Sequence, residues 1–263
     1  MKNYIRQKQI LEYLSSHKIL SVEEAMSLFK VSPATIRRDF TELAASGSVK
    51  RICGGISRNS DGNTEPLPFI LREKWYSDEK RFLAAQLFKY IRDAKTFFID
   101  GGTTTAHLGM FFKSPHQSVI TNSLLLCNII SEKFPSGGGP AIYMTGGRFS
   151  PESGLLLGPG AINNIAAYHA DIAILSVRGI DGNGLYNHNE EIAEIGRTMI
   201  ENADHVIIIA DHSKIGRCAM NKVASCDRIE ALFTMETAEN SNTLNEIRAA
   251  GVKVFSEHPI NWN

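Results

Sequence analysis

Seven short apolar runs, at 96–99, 119–121, 142–145, 172–177, 206–210, 232–234 and 252–255, constrain what this chain can fold into more than any other feature. Each is bounded by turn residues and separated from the next by residues of helical character. Runs this short and this apolar read as strands buried on both faces, and intervening helices imply crossover connections. The pattern therefore predicts an α/β domain with a mostly parallel sheet.

In open sheets of that kind, ligands bind beyond the carboxyl ends of the strands. The first run is followed by Asp100, Gly101, Gly102, Thr103, Thr104 and Thr105, then by an apparent helix. Glycines let backbone N–H groups approach a ligand, threonine hydroxyls add donors, and a helix N-terminus favours an anion. The composition is that of a phosphate cradle, with a threonine-capped glycine turn as the structural alternative; the dinucleotide GxGxxG pattern is absent. Thr121, Asn122 and Ser123 follow the second run. Thr145, Gly146, Gly147 and Arg148 close the third, and Asp211, His212, Ser213 and Lys214 follow the fifth. Each alone reads as a capped turn. Together, with two cations among them, they predict a site for a small, hydroxylated, negatively charged molecule.

The first 58 residues read differently. In the stretch Val31 to Phe40, Ser32 has the oxygen an N-cap needs and Pro33 falls at the first helical position, where a missing N–H costs nothing. Ile36, Phe40 and Leu43 recur at helical spacing, which leaves Thr35, Arg37 and Arg38 outside. A preceding helix opens at Ser21, with Glu24 at capping-box spacing, and carries an apolar stripe of Val22, Ala25, Met26 and Phe29. Ser46 and Gly47 stop the second helix. Residues 49–52, with Lys50 and Arg51, and residues 53–56 then suggest two strands around a glycine turn. Helix, turn, helix and basic hairpin make a winged helix-turn-helix over 1–58, with the helix-turn-helix at about 20–39. Arginines on such a helix suit the major groove, where they bond guanine bidentately. A solvated charged helix face is the plainer reading of the same pair.

Charge supports the DNA reading once the chain is divided. Overall, 28 basic residues balance 28 acidic ones, but through Arg58 ten basic residues face five acids, leaving +5 on the head and −5 on the remainder. Asymmetry of this kind fits a DNA reader joined to an unrelated domain. Residues 59–69 have linker composition. A helix over 70–91, with Phe82, Leu83, Leu87 and Ile91 as its buried stripe, opens the second domain, 70–263. Cys53, Cys127, Cys218 and Cys226 lack CxxC spacing and read as reduced thiols. The histidines form no ligand pattern, so neither metal nor cofactor is expected. No apolar run approaches the ~20 residues of a membrane span, and a cytoplasmic protein is expected.

Residues 6–55 resemble the DeoR-type regulators of bacterial sugar metabolism. The resemblance rests on Arg6, Ile10, Leu14, Val31-Ser32, Thr35, Arg37-Arg38-Asp39, Leu43, Gly47, Arg51 and Gly54-Gly55, with Cys53 where the family usually has histidine. The second half is similar to the sensor domain of that family from about Trp75 to Phe255, through Asp100 to Thr104, Thr121 to Ser123 and Asp211 to Lys214. That domain is similar in turn to ribose-5-phosphate isomerase, which implies a phosphorylated sugar as effector. On that transfer Gly102, Thr103, Thr104 and Lys214 hold the phosphate, and the segment from Arg178 to Asp181 lies where the isomerase has an acidic pair. An isomerase-like enzyme with an appended DNA-binding domain is the alternative, with Asp181, Glu190, Glu191 and Glu194 as possible bases. Arg178 in place of the first acid argues against it. A scaffold whose α/β half only oligomerises is a third reading. The expected partners are operator DNA, a small phosphorylated sugar and further copies of the chain, as a dimer or tetramer, with no membrane.

Overall fold

The computed structural model describes residues 3–45, 49–58, 76–91 and 93–256. The chain divides into two compact units, Met1–Trp75 and Tyr76–Asn263.

In the first unit α1 (Asn3–Ser16), β1 (Ile19–Ser21), α2 (Val22–Phe29) and α3 (Pro33–Ala45) precede the strands β2 (Val49–Ile52) and β3 (Gly55–Arg58). The capping box forms as expected: Glu24 N–H donates to Ser21 Oγ at 3.1 Å, and Ser21 N–H donates to Glu24 Oε2 at 2.9 Å. Lys30, left-handed at φ 51°, ends α2. Ser32 Oγ accepts from Thr35 N–H at 3.3 Å, and Pro33 is the first residue of α3. Ile36, Phe40 and Leu43 are fully buried with Ile10, Leu14, Leu20, Ala25, Val49 and Ile56. Each large apolar side chain in that core contributes about 1.5–3 kcal/mol. Arg6 and Asp39 form a buried ion pair that ties α1 to α3, with Arg6 Nη2 donating to Asp39 Oδ1 at 3.0 Å. The hairpin gains a third strand that the sequence reading lacked, because β1 pairs antiparallel with β3 to give the order β1-β3-β2. The Ser46-Gly47 stop and the 59–69 linker lie outside the described residues.

The second unit opens with α4 (Ser77–Tyr90), which falls within the expected helix over 70–91. Tyr76 precedes it with φ at 53°, and 70–75 lie outside the described residues. Then follow β4 (Thr96–Ile99), β5 (Ser118–Thr121), α5 (Leu124–Lys133), β6 (Ala141–Met144), β7 (Arg148–Ser150), β8 (Leu155–Leu157), α6 (Pro159–Ala166) and β9 (Ala170–Leu175). After these come β10 (Gly179–Asp181), β11 (Gly184–Asn187), α7 (Glu190–Glu201), β12 (Ala203–Ile209), β13 (Asn221–Ala224), β14 (Ala231–Phe233), α8 (Ser241–Ala249) and β15 (Lys253–Phe255). The seven apolar runs are the seven strands of one sheet, ordered β15-β14-β12-β9-β4-β5-β6. Every neighbouring pair in it is parallel.

The sheet is buried on both faces because alternate residues of each strand enter opposite cores. Phe97 and Ile99 pack with Leu83 and Leu87 of α4 and Leu126 of α5. Phe98 packs with Ala161 of α6, Ile195 and Met199 of α7, and Leu244 of α8. The chain winds outward from β4 through β5 to β6, then returns to β9 on the other side of β4. The order therefore reverses between β4 and β9, and an open parallel sheet binds ligands at such a reversal. Two antiparallel additions were not legible as strands: the β7–β8 hairpin and the sheet β10-β11-β13. Their strands have three or four residues and lack long apolar runs.

Candidate nucleic-acid interface and effector site

On the first unit, Arg37 and Arg38 are exposed on α3, as are Lys50 and Arg51 on β2. Arg38 also pairs along its helix with Glu42, Nε to Oε1 at 3.1 Å. Glu42 takes further bonds from Asn3 at 2.9 Å and Gln7 at 2.6 Å, so Arg38 is partly committed to the α1–α3 contact. Ser32 Oγ lies 2.9 Å from Thr35 Oγ1. Both hydroxyls thus serve the start of α3. Lys50 and Arg51 are adjacent on one strand and so leave it on opposite faces. Lys50 stands opposite Ser57, and Arg51 opposite the buried Ile56.

On the second unit, the Asp100 loop lies at the reversal point of the sheet. Asp100 N–H donates to Ile174 O of β9 at 3.0 Å, and Gly101 N–H to Asn122 Oδ1 at 2.9 Å. The two glycines are required by close approach. A Cβ on Gly101 would lie 1.9 Å from Leu155 Cδ2, and one on Gly102 would lie 1.8 Å from Ser176 Oγ. The loop is thus wedged between the ends of β5, β8 and β9. Thr103 and Thr104 are buried. Thr105 turns its hydroxyl inward, donating from Oγ1 to Asp100 O at 2.7 Å, and holds the loop closed. The expected helix after the loop is a six-residue 3-10 segment, Thr105–Met110. A 3-10 segment this short aligns few peptide groups and so lends the loop little of a helix dipole.

Asp100 is 3% exposed, and its Oδ1 has no hydrogen-bond partner among the described residues. Burial pushes its carboxyl up to about 7, against hydrogen bonds from Gly101 and Ser176 that favour the charged form. Asp211 is equally buried but behaves in the opposite way. Desolvation raises its carboxyl, yet Lys214, Lys80, the Ser213 hydrogen bond and His212 outweigh that effect and hold it below the usual range. Lys80 was not singled out from the sequence, although a cation at the head of the buried stripe Leu83, Ala84 and Leu87 was a readable signal. It is 2% exposed, and its Nζ donates to Thr103 Oγ1 at 3.0 Å.

The remaining expected residues divide by what they bond. Thr121 Oγ1 donates to Ile99 O at 2.6 Å, Asn122 bridges to the Asp100 loop, and Ser123 caps α5. These three brace the site from below. Gly146 and Gly147 adopt φ 66° and 101°, and a Cβ on Gly147 would meet Leu157 O at 2.5 Å. Arg148 is exposed and pairs with Glu191 at 2.6 Å. Arg178 donates its backbone N–H to Tyr186 O. Asp181 accepts from Asn183 N–H, Gly184 N–H and the Tyr186 hydroxyl on one oxygen, and from Cys218 Sγ on the other at 3.1 Å. Its bonds organise the β10–β11 hairpin. The structure therefore gathers Asp100 to Thr104, Asn122 and, through Lys80, the Asp211–Lys214 turn. Arg148 and Asp181 are engaged elsewhere in the unit.

A winged helix in one unit and a polar loop at the reversal of a doubly wound sheet in the other are the two parts of a ligand-responsive DNA-binding regulator. Residues 6–61 match the model of the DeoR-like helix-turn-helix domain, and residues 76–236 that of the DeoR C-terminal sensor domain. The chain belongs to the DeoR family of transcriptional regulators. It is 32% identical over 241 residues to the glycerol-3-phosphate regulon repressor of Escherichia coli, covering 89% of this chain and 91% of that protein. It is 31% identical over 225 residues to the transcriptional repressor GlcR of Bacillus subtilis, covering 86% and 85%. Among solved structures, ribose 5-phosphate isomerase A from Methanocaldococcus jannaschii aligns with 53% of this chain and 54% of its own, at 14% identity and a TM-score of 0.37. Among the described residues, no helix is long and apolar enough to cross a membrane, and no cluster of side chains could hold a metal ion.

Proposed function

We propose that this protein is a cytoplasmic repressor of a carbohydrate-utilisation operon, that it binds its operator as a homo-oligomer, and that a small phosphorylated sugar modulates that binding. One observation supports the effector class above the others. The loop at the sheet reversal carries buried threonine hydroxyls and backbone held in close approach by Gly101 and Gly102, and Lys80, which donates to Thr103, also acts with Lys214 on Asp211. Hydroxyls and ammonium groups in a poorly solvated site suit a phosphate, because charge-assisted hydrogen bonds are the strong ones. In this reading Gly102, Thr103, Thr104 and Lys214 receive the phosphate, and Asp100 accepts a sugar hydroxyl. Arg37, Arg38, Lys50 and Arg51 contact DNA. Helix-turn-helix readers commonly take two half-sites through a symmetric pair, which favours an oligomer.

The isomerase alternative is less well supported by the same geometry. Of its four possible bases, Asp181 already accepts four hydrogen bonds, Glu191 is paired with Arg148 and Glu194 with Arg197, which leaves Glu190 of the set. A general base needs a lone pair within reach of the proton it abstracts.

A thermal-shift panel tests the reading, using glycerol 3-phosphate, ribose 5-phosphate and glucose 6-phosphate beside their unphosphorylated counterparts, followed by binding to a DNA site selected by the protein. One phosphate is expected to raise Tm and weaken operator binding, with no effect from its unphosphorylated counterpart. Equal response to both members of a pair would sink the phosphate site, and turnover of ribose 5-phosphate would favour the enzyme.

A further inference from the structure

The outer edge of a sheet is a row of unpaired backbone groups that invites another strand, and chains that stay apart there guard it with charge, proline or a bulge. The two edges of the seven-stranded sheet differ in this respect. On β15, Lys253 Nζ donates to Glu230 Oε1 at 3.3 Å, and Glu230 also accepts from the Tyr90 hydroxyl at 2.8 Å and lies 2.6 Å from His205 Nδ1. That edge is charged. The opposite edge, β6, reads Ala141-Ile142-Tyr143-Met144, with Pro140 before it and no charged residue in it. Ala141 N–H and Thr145 N–H donate to Gln117 O and Thr121 O on the β5 side, so alternation turns the N–H groups of Ile142 and Met144 outward. Among the described residues no strand pairs with them.

The surface around β6 is poor in charge as well. Between Lys113 and Asp171 lie 57 residues, of which Glu132, Lys133, Arg148 and Glu152 are the charged ones, whereas the whole chain of 263 carries 28 basic and 28 acidic residues. Two of those four are committed elsewhere: Lys133 Nζ donates to Met110 O and Phe112 O, and Arg148 pairs with Glu191. α6 has no charged residue, and it packs beside β6. Asn164 Nδ2 donates to Thr145 O at 2.7 Å, and the rings of Tyr143 and Tyr168 lie 5.8 Å apart. Tyr143, Met144 and Tyr168 are each at least 40% exposed. Aromatic residues and methionine, with charge depleted, are the composition of an interface core.

We propose that the β6 edge, with the exposed residues of α6 beside it, is the surface on which a second copy of this chain docks, β6 pairing antiparallel with its mate across a twofold axis near Tyr143. The inference rests on the homo-oligomer reading and deepens it by naming the surface. The lack of charge is what selects a second copy as the occupant. A twofold axis sets each residue near it against its own mate, so a charge there would meet a like charge, while an uncharged edge meets itself without that penalty. The antiparallel partner supplies main-chain hydrogen bonds to Ile142 and Met144 and covers the rings of Tyr143 and Tyr168.

Analytical ultracentrifugation of the full-length protein tests this, for wild type, Tyr143→Lys, Tyr143→Glu, an equimolar mixture of those two variants and, as a control on the opposite edge, Phe255→Lys. Wild type should sediment as an oligomer, and each Tyr143 variant should need about tenfold more protein, or beyond, to associate. The mixture should recover most of that loss, because residue 143 meets residue 143 at a twofold contact, and Phe255→Lys should match wild type. Folded Tyr143 variants that associate as wild type does overturn this interface and leave the homo-oligomer reading standing. A mixture no better than either variant alone overturns the twofold pairing, and an equal loss in Phe255→Lys overturns the choice of edge. A monomeric wild type overturns both the interface and the homo-oligomer reading. If the Tyr143 variants do not fold, hydrogen exchange of wild type above and below its association concentration decides: slower exchange of the Ile142 and Met144 amides on association is expected, and unchanged exchange there overturns the inference.

Discussion

Asp100 and Asp211 follow strands of the same sheet, and their surroundings push them apart. Burial raises Asp100 to about 7, whereas two lysines keep Asp211 ionised. Such divergence is common where a binding site is being built. It also fixes a sign. Between the unfolded carboxyl value near 4 and about 7, folded Asp100 holds a proton that the unfolded chain has released, so this group makes stability fall as pH rises through that window. Asp100→Asn removes the titration. Relative to wild type, the variant should gain stability with rising pH by up to about 1.4 kcal/mol per pH unit, levelling off above 7. Urea unfolding of both proteins at pH 5, 6, 7 and 8 measures this, and a pH-independent difference would mean that Asp100 titrates normally. Wild type alone is a poor probe, because His107, pushed down to about 4 by burial, Lys80 and Arg81, contributes the opposite slope below its ordinary value.

At the scale of elements, the wing depends on how closely β1 approaches β3. Gly54 and Gly55 stand side by side, but for different reasons. Gly54 turns the hairpin at φ 77° with open space around it, whereas a Cβ on Gly55 would lie 2.4 Å from Leu20 O. Gly54→Ala should therefore cost about 1 kcal/mol, the price of a side chain in left-handed backbone. Gly55→Val should separate β1 from the hairpin and lose operator affinity as well as stability. Unfolding midpoints and DNA titrations of the two variants check this; equal effects would contradict the packing account. The 3-10 segment after Thr104 belongs to this scale too. An aligned α-helix would have supplied a dipole to the proposed effector site, and in that proposal the burden falls on side chains.

Across the whole molecule, a ligand can shift operator binding only by the difference in its affinity for the two states. Couplings of this kind are typically about 1–3 kcal/mol, or roughly 5- to 150-fold. Binding linkage is reciprocal, so saturating operator should weaken effector affinity by the factor with which effector weakens operator binding. Titrating effector into the protein with and without operator measures that factor, and identical affinities would mean that the two units do not communicate.

Much of this protein was legible in the chain itself. Seven apolar runs became the seven strands because a buried parallel strand needs apolar residues on both faces, and that demand is written locally. The capping box at Ser21, the start of α3 at Ser32-Pro33 and the core residues Ile36, Phe40 and Leu43 were readable for the same reason: each depends on neighbours three or four residues away. What the sequence could not state was strand order. Only the tertiary structure sets β9 beside β4, and so brings Ser176 against Gly102 and makes the Asp100 loop the reversal point of the sheet. Partners far apart in the chain were hidden likewise: Arg6 with Asp39, Glu79 with His212, Lys80 with Thr103. A charged residue on a helix reads as solvated until the fold decides what covers it. Burial is a property of the assembled layers, not of any local pattern.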